Sequence, residues 1–343
     1  MKNSPVVVLL IPSLILAACS EWPEAGSPSM PEFSEIAMES RRVPLEDSEL
    51  ALIGNLRSIA PRGSGNIVVV DQMTHRVLEF DLEGRLMRWA GRPGDGPGEF
   101  RSPMGIALID DGALLVVGPT RVTRLSSDLE FEANLRIEGS SLFSGVYATP
   151  ESVVLGIQNP REAGYAFAFL NPESGALSSP FVQRHPLLLS VPYWNALFRT
   201  DITWFRKRFV VSHNMVYPLY VFDRTGTPVD SLAVPPASWI EAPRPEPGAF
   251  AMAPLRVFEA WQREFTIMSG VFAVGGRWLI VAHRVFPAGS QDPEYRIDVY
   301  DSELEKLYTD VLVPGRPIHG GDCLWVVTAE PPSPWTLSCF ELI

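Results

Sequence analysis

Histidine is scarce in this chain, five in 343 residues, and two of the five occupy matching places. His213 follows the run Phe209-Val210-Val211, and His283 follows Leu279-Ile280-Val281. Two imidazoles that approach one another can hold a metal ion or pass a proton, whereas a His or Asp at a strand end can equally do no more than satisfy nearby backbone groups. Asp71, after Ile67-Val68-Val69-Val70, stands at the same point of its own run. A second set is cationic: Arg57, and Arg199 with Asp201 close behind it. Guanidinium forks suit anionic or carbonyl-bearing ligands, although an Arg near an acid such as Asp201 can simply pair with it. Cys323 and Cys339 flank the turn Glu330-Pro331-Pro332-Ser333-Pro334 and are either bridged across a hairpin or two buried thiols. Neither has the His partner of a nucleophile. No Walker-type Gly-Lys-Ser/Thr, nucleophile elbow, His-Glu-x-x-His or dinucleotide fingerprint occurs.

The elements that must carry these residues repeat. Six aliphatic runs, Ile67-Val70, Leu114-Val117, Val153-Leu155, Phe209-Val211, Leu279-Val281 and Leu324-Val327, are each followed by a second short apolar run. Most of those second runs end in an acidic or Asn-led turn, as in Val77-Leu78-Glu79-Phe80-Asp81 and Leu219-Tyr220-Val221-Phe222-Asp223. Self-similarity at a spacing of about 40 residues, in units of short strands only, predicts an all-β six-bladed β-propeller. Five units carry a further strand, but the sixth stops at Ile343, so its edge needs a cover. Ile36 to Leu45 has strand-like composition and is the expected donor, closing the ring with an N-terminal strand. The rhythm swells once, over 235–267, between blades four and five. There Val257/Phe258, Trp261 and Phe265 recur at helical spacing, which predicts an amphipathic helix on one face of the disc.

Aligning the six units places Asp71, Gly118, Gly156, His213, His283 and Thr328 at close to equivalent positions, so His213 and His283, on adjacent blades, could approach one another near the channel rim or each satisfy local backbone groups at its strand end. His75, inside a hairpin turn, reads as solvated. The expected channel positions are Arg57 and Ser58, Met104 and Gly105, Ser144 and Gly145, Arg199 to Asp201, Ser269 and Gly270, and Ile318 to Gly320.

The stretch Ala90-Gly91-Arg92-Pro93-Gly94-Asp95-Gly96-Pro97-Gly98-Glu99-Phe100, with Pro103-Met104-Gly105-Ile106-Ala107, resembles the inter-blade segment of NHL-type propeller repeats. Val70-Asp71-Gln72-Met73-Thr74-His75-Arg76-Val77 is similar to the hairpin of the same repeat. The match spans residues 55–125, beyond which only the strand rhythm persists, and it resembles the six-bladed propeller lipoproteins of bacteria. That resemblance implies a fold and leaves function open. Propeller lactonases and related hydrolases hold calcium in the channel with several oxygen ligands; here Asp201 alone among the expected channel positions is a carboxylate.

Lys2, the apolar stretch Val6 to Ala18 and Leu16-Ala17-Ala18-Cys19 resemble a lipoprotein signal in which Cys19 is acylated. The run is short for a bilayer span, and acyl chains on Cys19 would hold the protein on a membrane surface. The expected organisation is a signal peptide over 1–18, a flexible Pro-containing tether over 19–32 and one propeller over 33–343. At 46% hydrophobic the chain can bury a large core, and its formal charge of −12 argues against nucleic acid as a partner. The functional expectation is a binding module in the bacterial cell envelope, lipid-anchored, with the outer membrane suggested by family analogy. Its partner would be a small anionic ligand, peptide, glycan or envelope protein, with no cofactor. The alternative is a metal-dependent hydrolase or lyase with its metal near His213 and His283.

Overall fold

The computed structural model describes residues 30–109, 112–137, 142–158, 164–185, 200–243 and 255–343. The expectations for the signal segment, Cys19 and Arg199 lie outside these residues. A short helix α1 (Phe33–Ile36) leads into strand β1 (Ala37–Pro44). Blade 1 follows as β2 (Leu56–Pro61), β3 (Ile67–Asp71), β4 (Arg76–Phe80) and β5 (Leu86–Ala90), and blade 2 as β6 (Gly105–Leu108), β7 (Leu114–Gly118), β8 (Arg121–Leu125) and β9 (Phe131–Leu135). Blade 3 holds β10 (Leu142–Ala148), β11 (Val153–Gln158), β12 (Tyr165–Leu170) and β13 (Leu177–Gln183); blade 4 holds β14 (Thr200–Phe205), β15 (Arg208–His213), β16 (Val216–Phe222) and β17 (Pro228–Leu232). After helix α2 (Leu255–Gln262) come β18 (Ile267–Val274), β19 (Trp278–Val285), β20 (Glu294–Tyr300) and β21 (Lys306–Leu312) of blade 5. Blade 6 ends the chain with β22 (Arg316–His319), β23 (Leu324–Ala329) and β24 (Thr336–Leu342). Each blade is a four-stranded antiparallel sheet in sequence order, except that β1 is the outer strand of blade 6, in the order β22-β23-β24-β1. The protein is a six-bladed β-propeller closed by its N-terminal strand.

The second strand of each blade explains the repeat. Ile67–Asp71 is buried at every position, because its two faces meet the two neighbouring blades, and a strand covered on both faces reads as a continuous aliphatic run. The acidic turns have a local cause. Asp81 accepts the backbone N–H groups of Glu83 and Arg85 at 3.0 and 2.9 Å. Asp223 does the same for Thr225 and Thr227, both at 2.9 Å, and Asp301 for Glu303 and Glu305 at 2.8 and 3.0 Å. A short side-chain acceptor at that place satisfies the donors of a tight turn, so the repeat needs Asp there for backbone reasons.

Blade packing fixes the direction of the inner strands. Arg316 Nη2 at the start of β22 donates to Leu56 O at the start of β2, 3.1 Å away. At the other end Val274 and Gly321 form a parallel bridge. The starts of the inner strands therefore share one face of the disc, which is also the face where the chain leaves β17 and enters β18. This is the insertion face. Strand β1 begins beside Leu342 and ends beside Thr336, so the N-terminal arm arrives at the opposite face.

The insertion departs in part from expectation. Its helix stops at Gln262, one turn short of Phe265. Phe265 is buried and meets the Trp261 ring edge-on at 4.7 Å between centroids, but Val257 is 45% exposed and does not join an apolar stripe. Ser238 is tied to blade 5 instead, its N–H donating to Asp310 Oδ2 at 2.8 Å.

Cys323 and Cys339 are bridged, with Cα atoms 5.7 Å apart. Cys339 lies opposite Trp325, two residues beyond Cys323, so the bridge is a diagonal across the last hairpin on its core-facing side. The link closes 16 residues of chain, a loop worth about 3 kcal/mol in the entropy it removes from the unfolded state. Cys339→Ser is expected to lower the unfolding free energy by about 2–4 kcal/mol in a denaturant titration. Wild type under reductant should follow the variant.

Candidate functional site

The inner strands of all six blades wall a central cavity of about 860 Å³. Arg57, Ser58, Met104, Gly105, Ser144, Gly145, Asp201, Ser269, Gly270 and Ile318 to Gly320 line it, as the repeat alignment implies. Small residues keep it open. A Cβ on Gly105 would stand 3.4 Å from the Gly145 backbone of the next blade, so the glycines here allow adjacent inner strands to converge.

Other residues reach the cavity without belonging to those positions. Arg284 of β19, Tyr295 of β20 and Arg316 of β22 line it together with Arg57, and so do Asn214 from the β15–β16 hairpin and Gln262 from the end of α2. Arg284 and Tyr295 are cross-strand partners. Arg316 stands 3.6 Å from Glu330 through Nε. The mouth at the insertion face thus gathers Arg284, Arg316 and Arg57 from three consecutive blades, 5, 6 and 1, on a chain of net charge −12. Arg316 could have been read from the sequence, since it opens the sixth inner strand much as Arg57 opens the first. Arg284 and Tyr295 lie on second and third strands, and only their long side chains bring them to the lumen.

The other expected site residues are engaged elsewhere. Asp71 is fully buried, and its carboxylate accepts the N–H groups of Gly54, Asn55 and Met73, each at 2.9 Å, and the Thr74 hydroxyl. With its lone pairs filled from its own loop, it fastens the hairpin. His75 is not a solvated turn residue: its Nδ1 accepts the N–H of Ser102 at 2.8 Å, joining that hairpin to the inter-blade loop.

His213 and His283 do not share a site. His213 is 1% exposed, bonded through Nδ1 to Thr200 Oγ1 at 3.0 Å and packed on the Tyr220 and His185 rings. Burial, and secondarily the charge on His185, lower its pKa to about 4. His283 is 0% exposed and turned toward the rim of blade 5, its Nε2 lying 3.1 Å from Asp310 Oδ1. Burial alone would raise the Asp310 pKa, but hydrogen bonds from His283 and Ser238 hold it down at about 2. The two rings are separated because each continues the side of its strand that faces the preceding blade: Phe209 and Val211 before His213 pack on blade 3, and Leu279 and Val281 before His283 pack on blade 4. Among the described residues no group of three or more His, Cys, Asp or Glu side chains is placed to hold a metal ion.

A family described as a 6-bladed beta-propeller matches residues 28–130, which carry the closing strand, blade 1 and three strands of blade 2. No curated protein matches the sequence. Among solved structures, the chain is similar to a member of the duf4221 family from Bacteroides vulgatus, with 11% identity over 90% of this chain and 99% of that one and a TM-score of 0.67. A protein of Bacteroides fragilis described as exported shares 12% identity over 92% and 98% of the two chains, with a TM-score of 0.61. A catalytically inactive virginiamycin B lyase from Staphylococcus aureus, solved with quinupristin, gives 0.51 at 12% identity over 85% and 84%. At these identities the likeness is one of fold.

Proposed function

We propose that the protein is a binding propeller of the bacterial cell envelope, anchored by lipid on Cys19, that takes a small anionic ligand into its central channel from the insertion face. The observation that carries this reading is the open cavity of about 860 Å³ with arginines from three blades at one mouth. A cavity of that size with a few convergent polar groups suits a small molecule. The arm that would follow the anchor joins the disc at the opposite face, which leaves the mouth unobstructed by the tether. A hydrolase or lyase reading would need a metal at His213 and His283, and those rings are bonded to separate partners.

Thermal-shift titration of the full chain with small carboxylates, uronic-acid oligomers and neutral oligosaccharides tests the binding reading. At least one anionic member should raise Tm, and Ser269→Trp, which fills the channel, should abolish that shift. A panel with no shift, in which some member is cleaved, would replace binding by catalysis. For the anchor, Cys19→Ser should move the folded protein from the membrane to the soluble fraction. Membrane association that survives high-salt washing in that variant would refute the lipid as the attachment.

A further inference from the structure

Among the described residues, Arg284 has no carboxylate counterion in its ion-pair range. Tyr295 is its partner across the strand pair, and its Nε has no hydrogen-bond partner among the described residues. No described carboxylate lies within 4.0 Å of it. Burial depresses its pKa, and the positive charge of Arg316 adds to that depression. Among the described residues Arg316 has one carboxylate neighbour, Glu330 at 3.6 Å. The neighbouring Glu294 is already closed in a pair with Arg296 at 2.9 Å. Two guanidinium groups drawn together in a partly desolvated wall are unfavourable unless an anion joins them.

The surroundings hold this arrangement in place. Phe286 lies under Arg284 at 5.7 Å and under Arg263 at 5.8 Å, so one ring orients the guanidinium and links it to the end of α2. Arg263 is fixed in turn by Gln291, 2.5 Å from Nη1. Tyr295 stands directly across the strand pair from Arg284. The cluster is thus preorganised for an acceptor that arrives from the lumen.

We propose that Arg284, Arg316 and Tyr295 form a carboxylate-binding subsite at the channel mouth, with Arg57 on the adjoining wall. This deepens the binding reading above and rests on it. Two planar forks beside a phenol match the two oxygens of a carboxylate. A phosphate dianion would meet more repulsion from Glu330 and from Asp201, which lines the same cavity. The ligand class is therefore a small molecule bearing a carboxylate, its remainder lying along the serine- and glycine-lined lumen.

The test compares the full chain with Arg284→Met, which keeps the length of the side chain and removes the charge. In buffer without carboxylates or phosphate, the variant is expected to melt about 2–4 °C higher, since an unpaired desolvated charge is gone. Glutarate should stabilise wild type and not the variant, and the uncharged glutaramide should stabilise neither. Arg284→Met melting lower, with glutarate still stabilising it, would make Arg284 a structural prop and overturn the subsite. Equal stabilisation of wild type by glutarate and inorganic phosphate would overturn its selectivity for carboxylate. If Arg284→Met does not fold, Arg316→Gln takes its place, and glutarate affinity should fall about tenfold or more; unchanged affinity overturns the proposal. A neutral ligand lost on Ser269→Trp but indifferent to both arginine variants would leave channel binding standing and remove the subsite alone.

Discussion

Deleting residues 33–46 is expected to abolish the cooperative unfolding transition of the whole ring. Strand β1 pairs with β24 from Ala37↔Leu342 to Pro44↔Thr336. The segment buries Phe33, Ile36, Ala37, Val43 and Leu45, and Phe33 meets Phe340 edge-on at 5.0 Å. At about 1.5–3 kcal/mol for each large side chain, this burial amounts to most of the roughly 5–15 kcal/mol that keeps a domain folded. The deletion also bares the backbone of β24 as an open edge, which invites pairing between molecules. Deleting residues 20–29, which lie before the capping box formed by Glu32 and Glu35, should leave Tm nearly unchanged. Calorimetry and light scattering on the two truncations decide the matter. Similar melting of both would show that the ring closes without β1.

Acidification from pH 6.5 to 4 is expected to destabilise the protein through imidazoles that the fold holds neutral. His213 has a pKa of 6.5 in an unfolded chain and about 4 when folded, so the fold favours the neutral ring. Its contribution is complete above pH 6.5 and is lost as the pH falls toward 4, because the unfolded state takes up the proton first. The full swing is about 3 kcal/mol. His319, partly exposed to the channel but lowered by burial to about 4, acts in the same window with a smaller effect. Asp310 has the opposite chemistry and a lower window: its stabilisation is present above pH 3.8 and disappears toward 2. Urea titrations at pH 7 and 4.5 should show a smaller difference for His213→Asn than for wild type. An equal difference in the two proteins would assign the acid lability elsewhere.

The number of blades, the closing strand, the position of the insertion and the inner-strand residues of the channel are all legible in the sequence. Each depends on patterns local to one strand or one turn: continuous aliphatic runs where both faces are covered, Asp where a hairpin needs an acceptor, a missing outer strand where the count falls short. Such patterns survive without knowing how the blades lean on one another. The pairing of Cys323 with Cys339 was half legible, because hairpin spacing brings the thiols close but only the register sets the diagonal.

What the residues at the strand ends do was decided by the tertiary structure. His213 and His283 occupy equivalent points of the repeat, yet each faces the blade before its own, so His213 lies against Thr200 in one inter-blade cleft and His283 against Asp310 in the next. Asp71 reads in sequence either as a ligand or as a fastener of its hairpin, and the structure shows it saturated by its own loop. Arg284 and Tyr295 lie on the second and third strands, where the repeat gives no sign of the channel, and the residues that share its wall with them, Arg316 and Arg57, include one from far away in sequence. Side-chain reach and the angle between blades determine such meetings, and neither is written in the spacing of residues along a single strand.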